Sequence, residues 1–203
     1  MSAIIVDKEK KREAIIKAAL EVFGEKGFSR TTINDIAERA GIGKGTIYEY
    51  FRDKNEIINN SFLYFQRIFE FDIQEILLSG ENGFSKLKYI VKAIVKVLNG
   101  QYSKKLDLMF DFWAEGIKGD SKNIIQKEMK KFYRSYRSLF EDVLVEGAKD
   151  LSIRNDLDPG SVSSILIGML DGLMVQWILD KEEIKVKKIE ENMIDLISKG
   201  IKN

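Results

Sequence analysis

Along most of the chain, apolar residues recur at intervals of three, four and seven, the spacing that gathers them on one face of a helix. Ile16, Ala19, Leu20 and Phe23 form one such stripe, ended by Gly24 and Gly27. Ile33, Ile36, Ala37 and Ala40 form a second, closed by Gly41. Asp53-Lys-Asn-Glu56 has the pattern of a capping box and predicts a long helix through Ile58, Phe62, Phe65 and Phe69 toward Leu78. Ser79 to Gly83 reads as a loop. Leu87, Ile90, Val91, Ile94 and Leu98 line the next helix, stopped at Gly100. Leu106, Met109, Phe110, Trp113 and Ile117 line another, stopped at Gly119. A longer helix spans Ser121 to Lys149 with Ile125, Phe132, Tyr136, Leu139, Phe140 and Val143. Pro159 suits the first position of a helix, and Val186, Ile189, Met193, Leu196 and Ile197 line the last one. No stretch shows the alternation of a strand. The pattern predicts an all-α protein of about nine helices, with a small N-terminal unit over residues 1–54 and a larger helical bundle over 55–203. Sixteen of the 21 aromatic side chains follow residue 56, so the bundle has the richer core.

One segment is apolar on all sides. Pro159 to Leu179 carries a single charge, Asp171, and is long enough to cross a bilayer. Its flanks, Arg154-Asn-Asp-Leu-Asp158 and Asp180-Lys-Glu-Glu183, show no one-sided excess of Lys and Arg. Ser161, Ser163, Ser164 and Gln176 add polarity, so a buried helix of a soluble, cytoplasmic protein is expected. Met1 to Val6 is too short an apolar run for a signal peptide. Gly168 and Gly172, four apart, allow two helices to approach closely. They are candidates for a seam between two subunits, with close packing inside one subunit as the alternative. Asp171 is expected on an exposed edge of its helix, with a polar group of a pocket or a hydrogen bonder at a dimer interface as the alternatives.

The most informative stretch runs from Thr31 to Phe51. Thr32 can cap a helix with Asp35 three residues on. Gly41 supplies the positive φ that ends that helix, Ile42 can tuck between helices, and Gly43 leads into a second short helix. Two short helices joined by a three-residue turn containing glycine form a helix-turn-helix, whose second helix enters a major groove. At 100° per residue, Ile47 and Phe51 point inward, and Gly45 and Glu49 project most nearly opposite. Thr46 and Tyr48 flank them, with Lys44 and Tyr50 nearer the edges. Gly45 lets the backbone come close to the groove or a phosphate. Lys44 and Tyr50 suit phosphate oxygens. Glu49 can accept from a cytosine amino group, and Thr46 or Tyr48 can touch a thymine methyl. Lys54 adds a cation in the first turn of the next helix, beside free N–H groups that favour a phosphate.

These residues resemble the tetracycline-repressor (TetR) family of bacterial transcription regulators. The resemblance lies in Thr31-Thr32, Ile36-Ala37, Ala40-Gly41, Lys44-Gly45-Thr46, Tyr48-x-Tyr50-Phe51 and Lys54. Ahead of them, Ala18-Ala19 and Phe23-Gly24-Glu-Lys-Gly27-Phe28 look like the family's first helix. The similarity covers roughly residues 11–58. It implies a homodimer that binds a palindromic operator and releases it when a small hydrophobic effector enters the larger domain. By the family's pattern Lys44, Gly45, Thr46, Tyr48, Tyr50 and Lys54 are contact positions, joined here by Thr32 and by Glu49, which falls at a variable place.

Composition narrows the chemistry further. The 203 residues include no cysteine and no histidine, which removes thiolate catalysis, histidine general bases and the commonest metal ligands. No cofactor or metal is expected. Gly41-Ile-Gly-Lys-Gly-Thr46 is not a nucleotide loop, because Gly45 separates Lys44 from Thr46 and no strand precedes it. Charge gives little support to DNA binding: residues 1–56 hold 11 basic and 10 acidic side chains. In the larger domain the aromatic residues are core by default, and Phe110, Trp113 and Tyr136 are the candidates for lining an effector pocket. Two rival readings stand beside the regulator: an all-α enzyme using carboxylates, and a DNA-binding adaptor with no small-molecule site.

Overall fold

The computed structural model describes residues 3–77, 81–99, 103–119 and 122–202. Leu78, Ser79, Gly100 and Ser121 lie outside the described residues, as does the side chain of Phe69. The described chain forms nine helices: α1 (Ala3–Lys26), α2 (Ile33–Ala40), α3 (Lys44–Tyr50), α4 (Lys54–Leu77), α5 (Gly83–Asn99), α6 (Ser103–Lys118), α7 (Lys122–Lys149), α8 (Pro159–Leu179) and α9 (Val186–Ile201). An isolated antiparallel bridge joins Ile153 to Lys202. The helices gather into two compact units, Met1–Ile68 with Asp107–Lys130, and Phe69–Leu106 with Lys131–Asn203.

The first unit is built on phenylalanine. Phe112 of α6 is fully buried, with its ring centroid 4.9 Å from Phe28, 5.1 Å from Phe62 and 5.8 Å from Phe65. Phe28 in turn lies 4.6 Å from Phe23. This corrects the stripe expected for α6. Leu106 and Met109 are buried, but Phe110 and Trp113 are half-buried and Ile117 is 66% exposed. Six of the eight residues from Leu106 to Trp113 are apolar, so spacing alone could not choose the inward face.

In the second unit α5 packs against α8 and α9. The free N–H groups at the start of α5 are met from the chain after α7: Gly83 donates to Asp150 Oδ2 at 2.7 Å and Phe84 to Ser152 Oγ at 3.0 Å. A Cβ on Gly83 would lie 2.3 Å from the Gly147 nitrogen, so glycine is what allows α5 and α7 to touch there. Lys86 is buried and reaches both carboxylate oxygens of Glu146, at 2.6 and 2.9 Å, which compensates its charge. Asp158 caps α8 through the Ser161 N–H at 2.8 Å, and Pro159 opens the helix as expected. Among the described residues α8 is the one helix long and apolar enough to cross a membrane. It buries Leu166, Ile167, Leu170, Leu173, Met174 and Trp177.

Asp171 is not on an exposed edge. It is half-buried on α8 and accepts the Tyr133 hydroxyl at 2.9 Å. Burial pushes its carboxyl above the ordinary value of 3.8, opposed by that hydrogen bond. A raised carboxyl pKa means that the fold prefers the neutral acid, so ionisation costs stability above the folded value and costs nothing below 3.8. Asp171→Asn keeps an acceptor for Tyr133 and removes the charge. Thermal unfolding between about pH 4 and pH 8 should therefore show a higher Tm for the variant at neutral pH, with the gain fading as the pH falls.

Candidate nucleic-acid interface

The interface is set by local signals on either side of α2. Thr32 takes an extended backbone, and the reciprocal capping box is complete. Asp35 N–H donates to Thr32 Oγ1 at 3.2 Å, and Thr32 N–H donates to Asp35 Oδ2 at 2.7 Å. Lys26 Nζ sits 2.6 Å from Asp35 Oδ1. That ammonium first, and the Thr32 hydroxyl and N–H after it, hold the Asp35 carboxyl well below the usual range. At the other end Gly41 adopts φ 67°, the left-handed conformation that glycine enters at least cost. The N–H groups of Gly41 and Ile42 then return to Glu38 O and Ala37 O at 3.1 and 3.0 Å, closing the helix. Gly43 starts α3 after a three-residue turn, as predicted.

Ile47 and Phe51 hold α3 from beneath, 0% and 1% exposed. Lys44, Gly45 and Glu49 are exposed, Tyr48 is half exposed, and Thr46 and Tyr50 are half-buried at the flanks. Gly45 is telling. It lies in the first turn of α3, where glycine costs up to about 1 kcal/mol relative to alanine, yet a Cβ there would meet nothing within 4 Å. Nothing in the chain itself asks for glycine at this position.

Two cations beside this face are used internally. Lys54 Nζ donates to the carbonyls of Phe28, Ser29 and Thr31 at 3.0, 3.3 and 3.1 Å. An ammonium has three protons, so all three hold the loop that leads to the Thr32 cap. Arg12 of α1 meets the end of α3 through Tyr50 O at 3.2 Å and reaches Asn60 Oδ1 on α4 at 3.1 Å. Its guanidinium also lies over the Phe51 ring, 4.6 Å from the centroid. The available signal for Arg12 was its place: it stands four residues before Ile16, in line with the buried stripe of α1.

The remaining candidates are distributed. Phe110 and Trp113 are in the first unit, their rings meeting edge to face at 4.9 Å. Tyr136 is in the second, 4.5 Å from Phe132. A groove of about 380 Å³ in the second unit is lined by Leu144, Ala148, Ile153 and Leu157 among others, and by none of those three. Gly168 and Gly172 have nothing within 4 Å of an added Cβ, so close packing inside the subunit is not their purpose. Among the described residues no group of three or more metal-ligating carboxylates comes together.

Two short helices joined across Gly41–Gly43, the second showing its outer face to solvent, define a helix-turn-helix DNA-binding protein. Residues 15–60 match the model of the bacterial regulatory proteins of the tetR family, and residues 85–200 match the C-terminal domain of BetI-type transcriptional repressors. The chain belongs to the TetR family of transcriptional repressors. It is 22% identical to the fatty acid metabolism regulator protein of Bacillus subtilis over 196 residues, covering 97% of this chain and 98% of that one. To the probable acrEF/envCD operon repressor of Escherichia coli K12 it is 26% identical over 201 residues, covering 92% and 84%. The fold matches the crystal structure of FadR from Bacillus subtilis in complex with stearoyl-CoA with a TM-score of 0.75 at 22% identity, covering 93% and 98%. The family is one of regulators, and the enzyme reading falls with that membership.

Gly45→Ala should move two measurements in opposite directions. The variant gains up to about 1 kcal/mol in denaturant unfolding and loses affinity for operator DNA in a gel shift. Salt separates the two lysines. Lys44→Ala should lower the slope of log affinity against log salt by about one, as loss of a phosphate contact does. Lys54→Ala should lower the Tm and the affinity while leaving that slope in place.

Proposed function

We propose that this repressor acts as a cytoplasmic homodimer on a palindromic operator and lets go when it binds a small-molecule effector with a hydrophobic chain, of the acyl-CoA class. The exposed outer face of α3, with its open Gly45, carries the DNA half of this reading. Lys44, Gly45, Thr46, Tyr48, Glu49 and Tyr50 form the contact surface there, with Thr32 and Lys54 at its border. In a two-fold dimer, two such helices about 34–36 Å apart meet successive major grooves. The dimer half is supported by α8, which leaves Ile165 and Leu179 exposed and carries the uncrowded Gly168 and Gly172, and by α9, which leaves Leu196 exposed. Exposed apolar side chains suit a second copy of the same surface.

For the effector, support comes from full-length similarity to the fatty acid metabolism regulator protein of Bacillus subtilis and from the fold match to FadR of Bacillus subtilis, crystallised with stearoyl-CoA. Phe110, Trp113 and Tyr136 are carried forward as effector contacts, each to be tested singly. Linkage requires effector and DNA to weaken each other's binding by the same factor.

The test is fluorescence anisotropy of labelled operator titrated with stearoyl-CoA, stearate or free CoA. Release by stearoyl-CoA and not by CoA alone is the expected result. Indifference to all three would return the chain to a DNA-binding adaptor.

A further inference from the structure

The helix that reads DNA is seven residues long. Its last carbonyls have no partner within the helix, and a helix of this length does not persist alone in water. Its angle is therefore imposed from outside. Ile47 and Phe51 supply the apolar half of that grip. Arg12 supplies the polar half. One guanidinium nitrogen donates to Tyr50 O at 3.2 Å, at the C-terminal end of α3. Another donates to Asn60 Oδ1 at 3.1 Å and lies 3.5 Å from Glu56 Oε1, both on α4. The flat of the group covers Phe51. The second oxygen of Glu56 accepts the Arg52 N–H at 2.8 Å, so the same network closes the turn between α3 and α4. A planar fork can hydrogen-bond along its edges while stacking on a ring, which an ammonium cannot do.

We infer that Arg12 is a positioning residue for operator recognition, fixing the tilt of α3 through the C-terminal end of that helix. Two of its nitrogens are engaged with α3 and α4, which suits a positioning role rather than a phosphate contact. Contacts to base edges depend on where α3 lies, whereas contacts to phosphates position the protein without reading sequence. Loosening Arg12 should thus erode discrimination between sequences before it erodes attraction to DNA.

The experiment uses the full chain as Arg12→Met, which keeps an apolar stem over Phe51, and as Arg12→Lys, which keeps the charge. The probes are a duplex selected by the wild-type protein from a random pool and an unselected duplex of equal length, each over a salt series. Both variants should lose about tenfold or more on the selected duplex, the cost of misreading one base pair. Affinity for the unselected duplex and the salt slope should hold, and amides in the last turn of α3 should exchange faster with solvent. Equal losses on both duplexes, with a slope lowered by about one, would make Arg12 a phosphate contact and overturn the inference. A lowered Tm with the selected duplex still bound at full affinity would reduce it to a stability role and overturn the inference equally. If Arg12→Met does not fold, Arg12→Lys decides the matter alone.

Discussion

A two-turn helix has too few internal hydrogen bonds to define itself, and this constraint shapes the whole N-terminal unit. Everything around α3 compensates for its shortness. Gly41 turns the chain through a left-handed conformation so that α3 begins in the right place. Ile47 and Phe51 anchor it by burial worth about 1.5–3 kcal/mol each. Lys54 holds the loop before α2, and Arg12 holds the end of α3. The grip on α3 comes from its inner face and its ends, which leaves its outer side chains free of structural duty.

The same arrangement accounts for the nearly neutral charge of a DNA-binding unit. Much of its positive charge is engaged by partners within the same chain. Lys26 pairs with Asp35, and Arg39 reaches both Glu21 and Glu25. Arg12 and Lys54 are occupied with carbonyls and with α4. Lys44 stands exposed at the start of α3, and the side chain of Arg52 is 84% exposed beside Asp53. Net charge counts all of these alike. The geometry separates cations that shape the protein from those that can face a phosphate.

That separation also marks what could be read from residues alone. The Thr32–Asp35 cap, the Gly41 turn and the inward pair Ile47 and Phe51 were legible because each is a local signature, complete within a few positions. The outer face of α3 followed from the inner one. Lys54, Arg12 and the Tyr133–Asp171 bond were not legible, since their partners lie 23 to 48 residues away along the chain. Phe112 escaped for a different reason. Six of the eight residues from Leu106 to Trp113 are apolar, and only the packed rings of Phe28, Phe62 and Phe65 show which of them turns inward.

Phe112 belongs by sequence to the middle of the chain and by packing to its beginning. The first compact unit is thus discontinuous, assembled from Met1–Ile68 and Asp107–Lys130, and the backbone leaves it and comes back once before departing for good. A protein cut after residue 68 would carry the whole helix-turn-helix and lack the ring that fills the space among three phenylalanines. For anyone grafting this headpiece onto another sensor, the portable module is two segments rather than one, and a chimera joined at a single point would inherit an unfinished interior.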